Sequence, residues 1–424
     1  MNAEVDRLVD HLFRREAGKM VATLTRTLGF ENLHLAEDVV QDTLLKAMHH
    51  WAFNGIPRNP AAWLMQVAKN HALDLVRREQ NFRSKEKEIT LFLEQRSEQG
   101  PQPDARGFDD EIRDDQLRMM FACCHPALPR EGQIALTLKI LCGFGEEEIA
   151  AAYLTSTAAI AKRLVRAKKK IRESKIALEI PAGNELAARL DAVLQALYLL
   201  FNEGYKASHG DSLVRQELCE EAIRLVQLLT GHPSGNRPKT HALLALMLLN
   251  AARLSGRADA EGNILLLAEQ DRSLWDKVMI QRGLWHLNQS AAGEGISEFH
   301  LQAGIACCHC TAPTYEATNW SRILSLYDLL IEINNSPVIA LNRAVVISNI
   351  HGAAAALAVV EAIPAREVLE TYYLFHAVLA HLQYTLGDFD QAASRFRRAS
   401  ELAGANSEQA FLARRLAECD AQRI

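Results

Sequence analysis

Apolar residues recur along this chain at helical spacing and nowhere alternate with the two-residue period of a strand. In 36–47, Ala36, Val39, Val40, Thr43, Leu44 and Ala47 stand at i, i+3, i+4, i+7, i+8 and i+11, one core-facing stripe. The opposite face shows Glu37, Asp38, Gln41, Asp42 and Leu45, a leucine set among acids. Such a face suits docking onto a basic partner surface, and equally an ordinary solvated helix with one exposed leucine. WAFNGIPRNP at 51–60 reads as a loop punctuated by Gly55, Pro57 and Pro60, with Pro60 placed to open the next helix. That helix, 61–79, gathers Leu64, Val67, Ala68, His71, Ala72 and Leu75 on one face. Gln66, Lys69, Asn70, Asp74, Arg77 and Arg78 fall on the other.

Two further helices are predicted in 112–142, around Met119, Met120 and Phe121 and then Ile134, Leu136, Leu138, Ile140 and Leu141. At 145–172 a short helix, 146–153, breaks at Leu154, Thr155 and Ser156, and either hydroxyl can cap the helix that follows. That helix aligns Ile160, Leu164, Ala167 and Ile171 and carries Lys162, Arg163, Arg166, Lys168, Lys169, Lys170 and Arg172 on its remaining faces. A short helix, a tight turn and a basic helix make a helix-turn-helix, whose second helix enters the major groove of DNA. After Pro181 the helical patterns run almost unbroken to the end, separated by Gly, Pro and Asn clusters, so the expected class is all-α.

A length of 424 residues allows two to four domains. A net charge of −5 means that any nucleic-acid contact comes from local patches, of which 162–172 is one. The start, MNAEVDRLVDHLFRRE, is amphipathic with mixed charge and does not read as an export leader, and no apolar run approaches the ~20 residues of a membrane span. Eight cysteines in a chain of this kind are expected as reduced thiols in the cytoplasm. Trp51, Phe53 and Trp63 stand near basic and amide groups, which suits stacking on single-stranded bases, although both tryptophans also fit a core.

AEDVVQDTLLKA at 36–47 and NPAAWLMQVAKNHALDLVRRE at 59–79 resemble region 2 of bacterial sigma factors of the extracytoplasmic function type, within the sigma-70 family. The helix-turn-helix at 145–172 resembles region 4 of the same family, in the expected order. LYLLFNEGY at 197–205, with HLQAGIACCHC and NWSRILSLYDLL around 300–330, resembles the long C-terminal extension of one sigma-factor group. The division implied is region 2 at 1–83, an acidic flexible linker at 84–112, region 4 at 113–178 and a helical, tetratricopeptide-like extension at 179–424.

The resemblance implies a subunit that binds core RNA polymerase, at its clamp helices and flap, and directs it to promoters without catalysis or a cofactor of its own. Asp38, Gln41, Asp42 and Leu45 would dock on the polymerase. Trp51, Phe53, Asn54, Arg58, Trp63, Lys69, Asn70, Asp74, Arg77 and Arg78 would meet the melted −10 element. Thr155, Ser156, Lys162, Arg163, Arg166, Lys169 and Lys170 would meet the −35 element. Ala158, Ala159 and Ala161 depart from the family pattern, which weakens base reading there. The linker, with Asp104, Asp109, Asp110 and Glu111, would thread through the polymerase. The extension would serve as a regulator fused in cis, gating regions 2 and 4 and offering a surface to a regulatory protein. The alternative is a helix-turn-helix regulator with a sensing domain that never joins polymerase; the acid-and-leucine face speaks against it.

In 371–404, Leu379, Ala380, Gly387, Phe389, Ala392, Phe396 and Ala399 fit a tetratricopeptide pattern, and Ala344, Gly352, Ala356 and Val360 fit it loosely one period earlier. Neither Cys123–Cys124–His125 nor Cys307–Cys308–His309–Cys310 has the paired spacing of a structural zinc site, so core packing of thiols is expected and no metal. His300, Tyr315, Trp320 and Tyr327 are expected mainly as core, with a pocket as the other reading. No glycine-rich phosphate loop, HExxH or GxSxG occurs.

Overall fold

A computed structural model describes residues 3–78, 115–152, 155–181, 184–205, 215–259, 262–293 and 295–422. The linker expected at 84–112 lies outside them. Among the described residues every regular element is helical, apart from one isolated bridge between Ala258 and Ile264. None of the described helices is long and apolar enough to cross a membrane. The chain forms two units, Met1–Leu200 with Gly231–Gly235 and Phe201–Thr230 with Asn236–Ile424.

The first unit opens with α1 (Ala3–Leu28), α2 (Leu33–Asn54) and α3 (Pro60–Arg78), packed on one another. The stripe read from the sequence is the buried face of α2, which also includes Leu33 and Trp51, while Leu44 is half-buried. α2 stops where Gly55 takes φ of +75° and its amide donates to the Trp51 carbonyl at 3.0 Å. Left-handed φ is strain-free only for glycine. Asn59 then caps α3, its Oδ1 accepting from the Ala62 amide at 3.1 Å, and Pro60 opens the helix as expected.

After a helical stretch at 115–123 come α4 (Arg130–Leu141), α5 (Glu146–Ala152) and α6 (Thr157–Ser174). α4 is buried from Gly132 to Leu141 except at Lys139, because α1, α5 and α6 all lie against it. The contact with α1 depends on Gly18: a Cβ there would stand 2.3 Å from the Leu141 carbonyl oxygen. Cys123 and Cys124 are buried, as expected of packing thiols. Burial is the main cause that pushes the Cys124 thiol up to about 12. Asp115, just beyond the acidic linker, is 1% exposed and paired with Arg26 at 3.3 Å and Arg118 at 3.4 Å.

The second unit takes in α8 (Gln216–Gly231), α9 (Pro238–Ala251), α10 (Lys277–Ser290), α11 (Glu298–Thr311), α12 (Trp320–Ile333), α13 (Pro337–His351), α14 (Ala353–Glu361), α15 (Tyr373–Thr385), α16 (Phe389–Leu402) and α17 (Asn406–Ala421). α7 (Asn184–Tyr205) begins in the first unit and ends in the second, and the last residue of α8 is assigned to the first. α9 is buried from Thr240 to Leu249 and packs against α10 and α11. From α11 onward successive helices pair with their neighbours, the arrangement of a helical array.

The residues that fitted the repeat pattern fill the inter-helix spaces. Ala380, Ala392, Phe396 and Ala399 share one cluster with Leu412 and Cys419, and Ala344, Ala356, Val360 and Leu379 share another. Gly352 and Gly387 carry the positive φ at the turns. Cys310 is buried, its thiol donating to the Leu249 carbonyl at 3.2 Å. His300 accepts from the Ser297 amide in a capping box and so serves α11 as a cap.

Gly18→Val is expected to lower unfolding stability by about 1–3 kcal/mol, read as a fall in the urea midpoint, because a backbone oxygen occupies the space of the new side chain. Gly145→Ala, whose Cβ meets only the Glu148 carboxylate at 3.5 Å, is the near-neutral control.

Candidate nucleic-acid and protein interfaces

α6 is built to expose charge. Four of its apolar residues, Ile160, Leu164, Ala167 and Ile171, are its buried set. Ser156 is the cap, its hydroxyl accepting from the Ala159 amide at 3.3 Å; Thr155, the other candidate, is half-buried in the turn. Lys162, Arg166, Lys169 and Lys170 are exposed. Val165 stands among them at 66% exposed, an apolar contact that periodicity marks only as a non-core position.

Two cations of α6 have partners on other helices of the first unit, and a third, Lys169, lies 3.7 Å from Glu173 of α6 itself. Arg163 Nη2 lies 2.9 Å from Glu131 of α4, and Lys168 Nζ lies 2.8 Å from Glu37 of α2. Arg163, expected to meet the −35 element, has its guanidinium paired here with Glu131 at a partly open position. Glu37, counted by sequence on the solvated face of α2, joins that helix to α6. Neither pairing is visible in the sequence, because the partners are 32 and 131 positions apart.

α2 presents Asp38, Gln41, Asp42 and Leu45 outward, and Leu45 is 56% exposed. Met48, one turn on, is 52% exposed and extends the apolar part of that face. The i, i+3 spacing of Leu45 and Met48 could have revealed this pair. Asp42 also lies 3.6 Å from His71 Nε2 of α3.

The aromatic group at the α2–α3 junction divides in two. Trp51 is buried between Phe13 and Trp63, each ring centroid 5.5 Å away, so it offers no face to a base. Trp63 is half-buried, with His50 at 5.3 Å. Phe53, at 87% exposed, is the free aromatic, beside exposed Asn54 and Arg58. On α3, Asn70 and Asp74 are exposed, and Asn70 Oδ1 accepts from Gln66 at 3.0 Å. Lys69, expected on the polar face, is 6% exposed: the helix turns it inward beside Ala68 and Ala72. The side chains of Arg77 and Arg78 lie outside the described residues.

A helical bundle with an acid-and-leucine face, joined to a helix-turn-helix whose second helix carries exposed cations, is the architecture of a DNA-binding transcription factor. Residues 12–82 match the family model Sigma-70 region 2, and residues 118–171 match Sigma-70, region 4. The chain belongs to the sigma-70 family, as a factor with a long helical C-terminal extension. Residues 189–291 match a family of unknown function, DUF6596. Uncharacterized protein R00370 of Rhizobium meliloti (strain 1021) is 40% identical over 386 residues, covering 90% of this chain and 89% of that protein. No solved structure matches the chain.

Ser156→Ala is expected to cost about 1 kcal/mol of stability, seen as a lower urea midpoint, with Ser156→Asp restoring it, since either side chain accepts from the first free amides of α6.

Proposed function

We propose that this sigma-70 family member joins core RNA polymerase through the outer face of α2 and brings two DNA-reading surfaces to promoters. The observation that carries the reading is the pairing of two half-buried helices. Each of α2 and α6 buries one stripe and leaves the other side to a partner. On α2, Leu45 and Met48 supply an apolar anchor inside a ring of acid and amide, the composition that suits a basic docking surface. A regulator that never joined polymerase would have no use for that face.

The −10 surface would be formed by Phe53, Asn54, Arg58, Trp63, Asn70 and Asp74, with Arg77 and Arg78 beyond. Phe53 stacks on a melted base and Trp51 holds Trp63 in place. On α6, Lys162, Arg166, Lys169 and Lys170 hold phosphates. Arg163 exchanges Glu131 for a base edge, worth about 1–3 kcal/mol of discrimination if bidentate to guanine. The extension acts as a regulator fused in cis; its size and helical-array packing support that role.

The two elements lie about 25 base pairs apart, roughly 85 Å at ~3.4 Å per base pair. Regions that touch through Lys168 and Glu37, and through Gly18 and Leu141, cannot read both at once. The first unit as described is therefore a closed form, and binding polymerase separates its halves.

Reconstitution with core polymerase tests the main reading. Leu45→Glu is expected to abolish co-elution with core and promoter-directed run-off transcription, while leaving the thermal midpoint within about 2 °C, because the position is exposed. Unchanged co-elution would overturn the docking assignment. Lys168→Glu sets a second carboxylate against Glu37 and is expected to speed association with core several-fold, with Glu37→Lys in the same chain returning the rate toward wild type. An unchanged rate removes the closed form from the pathway.

A further inference from the structure

In the second unit, two arginines lie over one buried tryptophan. The guanidinium carbons of Arg253 and Arg272 are 5.4 and 4.7 Å from the centre of the Trp275 ring, and Trp275 is 2% exposed. Arg272 Nη1 donates to the carbonyls of His309 and Ala312, each at 2.7 Å, at the C-terminal end of α11. Its Nη2 is buried and has no hydrogen-bond partner. The same is true of Arg253 Nε, Trp275 Nε1 and His309 Nδ1. Neither arginine forms an ion pair among the described residues.

Buried N–H donors left without a partner are costly, and two guanidinium groups against one indole also repel each other. The repulsion registers in Arg272, whose pKa is lowered by burial first and by Arg253 next. Acids are close in sequence, yet each is committed elsewhere. Asp271 accepts from the Ser273 amide at 2.8 Å, and Asp276 caps α10 by accepting from the Met279 amide at 2.8 Å. Glu316 is held below the usual carboxylate range by hydrogen bonds from its own amide and from Thr314, and only then by the charge of Arg272. Lys277, whose ammonium donates to the Arg272 carbonyl at 2.8 Å, adds a third cation. His309 is kept neutral, its pKa lowered to about 3 by burial and by both arginines, so its free Nδ1 can carry a proton to donate. Local charge is thus mainly positive, the unused hydrogen-bonding capacity is mainly donors, and among the described residues no carboxylate forms an ion pair with either arginine, although Glu316 is near enough to act on Arg272.

We propose that Arg253, Arg272, Trp275 and His309 form a binding site for a small phosphoryl-bearing anion. The donors come from three separate stretches of chain around one indole, which suits a tetrahedral oxyanion better than the single planar fork that a carboxylate prefers. Both arginines are half-buried, so part of each side chain meets solvent, while the unpaired donor atoms lie beneath that surface and an entering ion must displace their cover. The bound ion would tie the end of α11 to the loop between α9 and α10. The site is independent of the polymerase and promoter surfaces, and it makes the extension a sensor of phosphate or of a small phosphate ester.

The test is calorimetric titration of the full chain with inorganic phosphate at constant ionic strength, with chloride as the reference ion and acetate and phosphoserine as parallel ligands. Saturable phosphate binding is expected, weakened by about tenfold or more in Arg253→Gln through loss of a charge-assisted contact. Arg272→Gln should behave alike. Because it also gives up its bonds to two carbonyls and can fail to fold, Arg253→Gln, whose side chain makes no such bond, decides the matter. Phosphoserine binding as well as phosphate identifies an ester as the ligand, and weaker phosphoserine binding identifies the free ion; both support the site. No saturable phosphate binding, equal affinity in Arg253→Gln, or acetate binding as tightly as phosphate would each overturn the proposal.

Discussion

The burial of four side chains on α6 is the interaction on which the rest of the first unit depends. Ile160, Leu164, Ala167 and Ile171 are held in the core, and the stripe they form is too narrow to enclose the helix. The cations must therefore lie outside it, where a phosphate backbone can reach them. α2 obeys the same constraint with the opposite charge. Its stripe from Ala36 to Trp51 is buried, and Asp38, Gln41, Asp42 and Leu45 are left outside. A single physical rule, one buried face per helix, thus produces a cationic surface of the kind that suits DNA and an acidic, apolar-centred surface of the kind that suits a basic protein partner.

Exposure of charge does not mean that every charge is available. Arg163 and Lys168 are held by Glu131 and Glu37, in pairs that remain partly open to solvent. Such pairs contribute at most about 1 kcal/mol each, so they can be exchanged for a stronger electrostatic partner such as DNA. The contact between Gly18 and the Leu141 backbone is of another kind, since it rests on the absence of a side chain and on close packing. The proposed closed form, joined by the Lys168–Glu37 and Arg26–Asp115 pairs and by the packing of α1 on α4, must exchange those contacts for ones made by a large partner.

The second unit obeys the helical-array logic, with small residues where helices touch and phenylalanine where they part. Its departure from that logic is polar. Around Trp275 two guanidinium groups are gathered while the neighbouring carboxylates cap helices, so ring contact and two carbonyl bonds offset only part of the cost of the donors left unpaired. The proposed anion would supply the counter-charge that this cluster lacks.

Periodicity alone determined the all-helical class, the two apolar stripes, the cap position at Thr155 or Ser156 and the outward placement of Leu45, because helix geometry ties sequence spacing to a face. The family motifs are local for the same reason, and were legible at 36–79 and 145–172. Only the tertiary structure decided that Ser156 is the cap, that Trp51 and Lys69 turn inward while Phe53 stays outside, that Glu37 meets Lys168, and that two distant arginines share one indole with no acid between them. Apart from the cap, which is a contact within one turn, those outcomes depend on which elements meet across stretches of up to more than a hundred residues. Spacing along one helix carries no information about the surface that another helix brings to it.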